Sequence, residues 1–170
     1  MSSPWQVQSV LATACDTKPP DDTELNELLV DTFVGAGFAD RDVAATSFIP
    51  SAVRARGELL YVRAAPGGPL VGVVIFVSSW SPGRRFAEAG EAELHLLAVR
   101  TGQRRGGIGR ALVEAVIERA SASGCQRLLL WSQPTMLAAH RLYEALGFSR
   151  APERDYTQRG RSFLFYRLEL

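Results

Sequence analysis

The spacing of apolar and polar positions changes several times along the 170-residue chain, and each change marks an element. Residues 6–14 alternate loosely and predict a first strand, which Lys18-Pro19-Pro20 interrupts. Leu25, Leu28, Leu29, Thr32 and Phe33 then fall at helical spacing behind Asp21 and Asp22, either of which can cap the helix, and Gly35 and Gly37 close it. A shorter helical piece is expected over 40–48. Segments 58–64 and 70–80 read as strands joined into a hairpin by Pro66-Gly67-Gly68-Pro69, and EAELHLLAV over 91–99 reads as a third, more buried strand.

From 107 to about 121 the period is helical again, with Ile108, Ala111, Leu112, Ala115, Val116 and Ala120 on one face and Arg110, Glu114 and Glu118 on the other. Gly124 stops that helix. The run RLLLWS over 127–132 predicts a buried strand, and Pro134 opens a helix that reaches Leu146 and ends at Gly147-Phe148. Segment 162–170 alternates as a final strand, completing an antiparallel hairpin around 155–160. Strand 91–99, helix 107–121 and strand 127–132 form a βαβ unit, so the two strands run parallel through a right-handed crossover.

A chain of this length that is 46% apolar fits one compact domain over residues 1–170. Its formal net charge of +1 supplies no long-range field for nucleic acid or an anionic membrane, so neither is an expected partner. Arginine provides every basic residue except Lys18. Cys15 and Cys125 lie far apart with no metal-ligand spacing around them, which argues against a disulfide framework or a metal site and fits a reducing cytoplasm. The start lacks the basic region of an export signal, and no stretch approaches the ~18 apolar residues of a membrane span.

The turn entering the helix at 107 carries the chemistry. It reads Gln103-Arg104-Arg105-Gly106-Gly107-Ile108-Gly109, so successive main-chain N–H groups without bulky side chains face outward where the helix dipole begins, a place suited to a phosphate. A P-loop does not fit, because Gly107 and not lysine follows Gly106. A dinucleotide fingerprint does not fit either: Leu112 stands at the third glycine, and Trp131-Ser132 supplies no ribose-binding carboxylate.

Arg104, Gly107 and Gly109 instead spell Arg-x-x-Gly-x-Gly between the strand HLLAV and the helix start RALVEAV. In this the chain resembles the GNAT acyltransferases, and a second block, AAHRLYEALGF over 138–148, is similar to the family's helix carrying a tyrosine before Gly-Phe. The resemblance implies a three-layer α/β/α fold whose mixed, mostly antiparallel sheet splays open at a central parallel pair. It implies acetyl-CoA as co-substrate, with its pyrophosphate on Arg104, Arg105, Gly106, Gly107, Ile108, Gly109 and Arg110. Its pantetheine arm would pair with Leu97, Ala98 and Val99 and pass Ala139 and Tyr143. Met136 stands where the family often has an asparagine, a departure that touches one side-chain contact and no backbone one.

Acetyl transfer to an amine needs a neutral nucleophile, a stabilised oxyanion and a proton for the departing thiolate. By resemblance Tyr143 is the general acid. Glu93 and His95, two apart on one strand and so on one face, are the candidate bases; histidine has the better ordinary pKa. The same strand is similar to that of arylalkylamine acetyltransferases, with Glu93 at the first of their paired histidines. Phe33, Phe38 and Trp80 are candidate walls for the acceptor, and Glu153 and Asp155 candidate attractors for a cationic one. No cysteine sits at a nucleophile position, so transfer is expected to be direct, in a ternary complex. The acceptor is expected to be a small-molecule amine or a peptide, and a homodimer is compatible with the sequence. The alternatives are a non-catalytic acyl-CoA sensor and an acetyltransferase of protein N-termini or lysines.

Overall fold

The computed structural model describes residues 4–9 and 18–170. The expected first strand is present as β1 (Gln8–Ser9); the remainder of 6–14, and Cys15, lie outside the described residues. In α1 (Asp22–Phe33), Asp21 is the N-cap: its carboxylate accepts from the Glu24 amide at 3.0 Å while Glu24 accepts from the Asp21 amide at 3.1 Å, a reciprocal capping box. Then follow α2 (Arg41–Ser47) and a five-residue α3 (Pro50–Arg54), which the sequence pattern did not foresee because one turn is too short to show a period.

The strands are β2 (Glu58–Arg63), β3 (Leu70–Ser78), β4 (Glu91–Val99), β5 (Arg127–Ser132), β6 (Ser149–Arg150), β7 (Tyr156–Gln158) and β8 (Arg161–Glu169). Their order is β1-β2-β3-β4-β5-β8-β6, with β7 hairpinned to β8; every pair is antiparallel except β4 with β5. Two further helices, α4 (Ile108–Ala122) and α5 (Leu137–Ala145), complete the chain. The last begins three residues later than Pro134 suggested. Residues 133–136 form a turn instead, closed by the Met136 amide on the Gln133 carbonyl at 3.0 Å, with Pro134 supplying the fixed φ that such a turn uses.

Alternation along β2 and β3 divides the core between two helical layers. Leu59, Tyr61, Leu70, Val73, Ile75 and Val77 face α1 to α3, whereas Leu60, Val62, Val71, Val74 and Phe76 face α4. The molecule is therefore a three-layer α/β/α fold around a mixed, mostly antiparallel sheet. Glu91, at the start of β4, is buried and receives Arg127 at 2.7 Å and Arg154 at 3.1 Å, which fastens β4, β5 and the segment before β7 at the closed end of the parallel pair.

Gly72 sets how closely α4 approaches β3, since a Cβ built there would meet Ile108 Cγ2 at 2.7 Å and Leu112 Cδ1 at 2.9 Å. Gly72→Val should destabilise the protein by about 1–3 kcal/mol through overpacking. Urea unfolding reads this as a lower midpoint with an unchanged m-value.

Candidate active site

β4 and β5 pair only from Glu91 to Glu93, opposite Arg127 to Leu129. Beyond that point β5 continues with β8, while β4 continues with β3 alone through a register shift opposite residues 73–75 and a positive φ of 51° at Leu96. The β5-facing edge of β4 from Leu94 to Val99 thus has no strand partner. Into this wedge opens a cavity of about 690 Å³. Leu97, Met136, Ala139 and Tyr143 border it, together with the aromatic rings of Phe33, Phe38, Phe48, Trp131 and Phe163.

At the C-terminal end of β4 the chain passes through the expected glycine-rich turn. Gly107 is the N-cap of α4 with φ 85°, and Arg105 also takes a positive φ, 70°. The first main-chain bond of the helix is Ala111 N–H to Gly107 C=O, so the N–H groups of Arg105, Gly106, Gly107, Ile108, Gly109 and Arg110 have no acceptor among the described residues. A run of free amides at a helix start is an anion cradle. Trp5 lies on the glycines and donates its indole N–H to the Gly106 carbonyl. Because that carbonyl points away from the Gly107 N–H of the same peptide plane, the amides stay open. Arg104 folds back onto the Val99 carbonyl at 3.4 Å, Arg110 pairs with Glu114 at 3.3 Å, and none of the turn's residues borders the cavity.

Glu93 and His95 do share a face of β4, and their side chains are bonded, carboxylate to Nε2, at 2.6 Å. Glu93 is wholly buried and also accepts the main-chain amides of Arg85, Phe86 and Ala87. Burial opposes its charge, yet the bonds from His95 and these amides win and hold the carboxyl below its ordinary value. A carboxylate so fully engaged is anchored in the interior, and Glu93 does not border the cavity. His95 has the opposite balance: burial outweighs the Glu93 bond and, with Arg56 and Arg85 nearby, holds the imidazole below its ordinary pKa. It is neutral at pH 7. With Nε2–H donated to Glu93, Nδ1 carries the lone pair, and His95 borders the cavity. Its ring meets Trp131 edge-on, with centroids 4.8 Å apart.

Tyr143 is buried between Phe148 and Tyr166 and borders the cavity, and burial pushes its phenol above the ordinary value, so the hydroxyl stays protonated. Met136 accepts from Ser132 Oγ at 3.2 Å. Two expected contributors to the acceptor side do not arrive. Trp80 is 70% exposed on the turn after β3, away from the cavity. Asp155 is occupied by Arg150 at 2.7 Å and the Phe165 amide, and Glu153 by Arg167 at 3.2 Å. The loop tip that does enter is basic: Arg159 and Arg161 border the cavity, as do Arg56 and Arg85. Sequence reading missed these four, which belong to no motif; only Trp131-Ser132, polar and aromatic at the C-terminal end of a buried parallel strand, carried a positional signal.

The fold is thus an open α/β/α sheet with an anion cradle at a helix start and a cavity in its central split. The sequence profile of the GNAT acetyltransferase family matches residues 23–148, and the chain belongs to that family. It is 41% identical over 69 residues to N-acetylaspartate synthetase of Danio rerio, a match covering 40% of this chain and 24% of that protein. To N-acetyltransferase family 8 member 3 of Rattus norvegicus it is 30% identical over 90 residues, covering 53% and 38%. The chain thus matches well under half the length of these relatives. Among solved structures, a Bacillus subtilis acetyltransferase in complex with CoA superposes with TM-score 0.67 at 18% identity over 98% of this chain and 99% of that one. A GNAT-family protein from Desulfovibrio desulfuricans gives 0.70 at 18% identity over 97% and 98%. Among the described residues no helix is long and apolar enough to cross a membrane, and no cluster of metal-binding side chains occurs.

The dyad makes a titration prediction. His95 ring protons followed by NMR should titrate below about 6.5, and Glu93→Gln should lower the midpoint further by removing the one contact that favours the charged ring. The unfolded chain binds the proton that native His95 refuses, so stability should fall as pH drops below about 6.5, and the low native pKa of Glu93 extends the loss in the same direction.

Proposed function

We propose that the chain is an acetyl-CoA-dependent N-acetyltransferase that passes acetyl directly to a primary amine in a ternary complex. One observation carries the reading: the free amides of residues 105–110 and the unpaired edge of β4 lead from an anion cradle into the same cavity that holds His95 and Tyr143. The residues fit coenzyme A, because the cradle offers donors without side chains at Gly106 and Gly107 and the split leaves main-chain groups free to pair with an extended amide-bearing arm. When bound, acetyl-CoA supplies the activated acyl group and a thiolate leaving group.

The chain's own residues have separable tasks. The amides and dipole of α4 hold the pyrophosphate, with Arg104 or Arg105 able to reach over it. Leu97, Ala98 and Val99 present the strand edge, and a free amide there polarises the acyl carbonyl. His95 Nδ1 takes the amine proton, directly or through water, and Glu93 fixes the tautomer that makes this nitrogen the base. Tyr143 donates its hydroxyl proton toward the sulfur. Cys125, buried beyond the end of α4 and absent from the cavity lining, has no part in a covalent step. The volume and aromatic walls favour a small amine over a protein side chain presented in an open groove. Of the two curated relatives, one bears the name of an amino-acid acetylating enzyme and the other of an N-acetyltransferase, which supports the class of reaction.

Thiol release from acetyl-CoA, screened against polyamines, arylalkylamines, aminoglycosides, amino acids and short peptides, tests the reading. Tyr143→Phe should cut kcat by about 10²-fold while calorimetry shows acetyl-CoA binding retained. His95→Gln should remove the acidic limb of the kcat/KM profile, in which activity falls as pH drops through a native pKa below about 6.5. Absence of binding heat with both acetyl-CoA and free coenzyme sinks the proposal, and cofactor binding with no accepted amine supports a sensor module instead.

A further inference from the structure

Several guanidiniums of the fold are met by carboxylates: Arg63 grips Glu24 at 2.8 Å, Arg150 holds Asp155, and Arg127 and Arg154 share Glu91, whereas others, Arg100 and Arg104 among them, bond main-chain carbonyls. The lining of the cavity is strongly biased toward arginine. Arg56, Arg85, Arg159 and Arg161 border it, and Asp40 is the sole carboxylate of its lining. Asp40 is already taken by Arg161 at 2.8 Å. For Arg56, Arg85 and Arg159 no carboxylate lies at ion-pair distance among the described residues.

Arg56 and Arg85 are held in place although unneutralised. Arg56, half-buried, bonds the Ser47 carbonyl at 2.7 Å, and burial together with neighbouring Arg85 lowers its pKa. Arg85 rests its guanidinium over Phe86, Trp131 and Tyr156 at 5.1, 5.4 and 5.7 Å and bonds Gln158 at 3.1 Å, which ties it to the β7–β8 hairpin. Arg159 occupies the first central position of that hairpin's two-residue turn at φ 51°, followed by Gly160 at φ 72°. Asparagine or glycine suits that left-handed position better than arginine, so a strained arginine is kept at the cavity mouth.

The anionic part of the cofactor does not account for them. Residues 105–110 border no part of the cavity, and the Arg85 main chain is anchored on Glu93, six residues along β4 from Val99, or about 20 Å. Arg85 is instead next to the base: Trp131 touches both its guanidinium and the His95 ring. Planar guanidiniums with free donors match a carboxylate.

We infer that the acceptor is an amine that also carries a carboxylate, an amino acid in the broad sense, with Arg85 and Arg159 binding the carboxylate while His95 faces the amine. This rests on the acetyltransferase reading and adds its specificity. The guanidiniums also favour the chemistry: they disfavour an ammonium beside them and so help release the neutral nucleophile. A dicationic or polycationic amine meets only repulsion.

The test compares matched acceptors: glycine, aspartate and phenylalanine against their carboxamides, with phenethylamine and a polyamine, using thiol release from acetyl-CoA. At least one acid should exceed its carboxamide in kcat/KM by about ten- to a hundredfold, the difference residing in acceptor KM. Arg85→Gln and Arg159→Gln, tested singly and together, should bring the acid-to-amide ratio toward one with the KM for acetyl-CoA retained; Arg85→Lys, which restores charge without the fork, should recover part of it. Preference for carboxamides or polyamines, or an equal loss for acid and amide, overturns the inference.

If no amine is acetylated, transfer fails as a reading but the anion site is still measured. Calorimetry with the N-acetyl derivatives of the same three acids and of their carboxamides, in the presence of coenzyme A, should show an acid preference that Arg85→Gln weakens. No binding, or equal binding of acid and amide, rejects the site on its own terms.

Discussion

After Glu93 the central parallel strands stop sharing hydrogen bonds, and the site depends on that separation. β5 is held to β8 along its whole length, whereas β4 follows β3 through an irregular register, so the two diverge. Backbone groups left unpaired in an interior are costly unless something supplies partners. The open edge of β4 therefore leaves main-chain groups without a strand partner in the centre of the sheet. The closed end is pinned by buried Glu91 and its two arginines, which localises the opening at the other end, where α4 begins.

Glu93 works from the closed end outward. Its carboxylate gathers three successive amides of the loop before β4 and then orients His95, so loop, strand and imidazole form one bonded unit. Removing it would leave those donors buried and unsatisfied, a cost that exceeds the value of any one of the bonds. The same loop carries the Arg85 side chain to the cavity, which couples the orientation of the His95 imidazole to the position of a cation. Charge around the site is therefore layered: a buried anion behind the histidine, and guanidiniums in front.

One side of the cavity is closed by side chains reaching between distant segments. Gln133, at the end of β5, donates to the Phe38 carbonyl at 2.6 Å, and Arg161 reaches Phe38 and Asp40 from β8. The loop between α1 and α2 is thereby tied to the sheet across the opening, and Phe33 packs on Phe48 behind it at 5.3 Å. Aromatic walls held by such ties present a shaped surface in place of a flexible lip.

Much of this was legible in the chain. The apolar run 91–99 and the run 127–132 are β4 and β5, Asp21 caps α1, and glycines at 106, 107 and 109 mark a helix start with free amides, because periodicity, capping and left-handed turns are local properties that residues a few places apart determine. Even the bond between Glu93 and His95 was implicit in their spacing of two on a strand. That the Glu93 carboxylate is bound by the amides of Arg85, Phe86 and Ala87 was not. Nor could sequence show that Trp80 stays in solvent, that Asp155 spends its charge on Arg150, or that Arg56, Arg85 and Arg159 converge without carboxylates. Burial, charge balance and convergence belong to groups far apart along the chain, and only the tertiary structure brings them within the few ångströms over which they act.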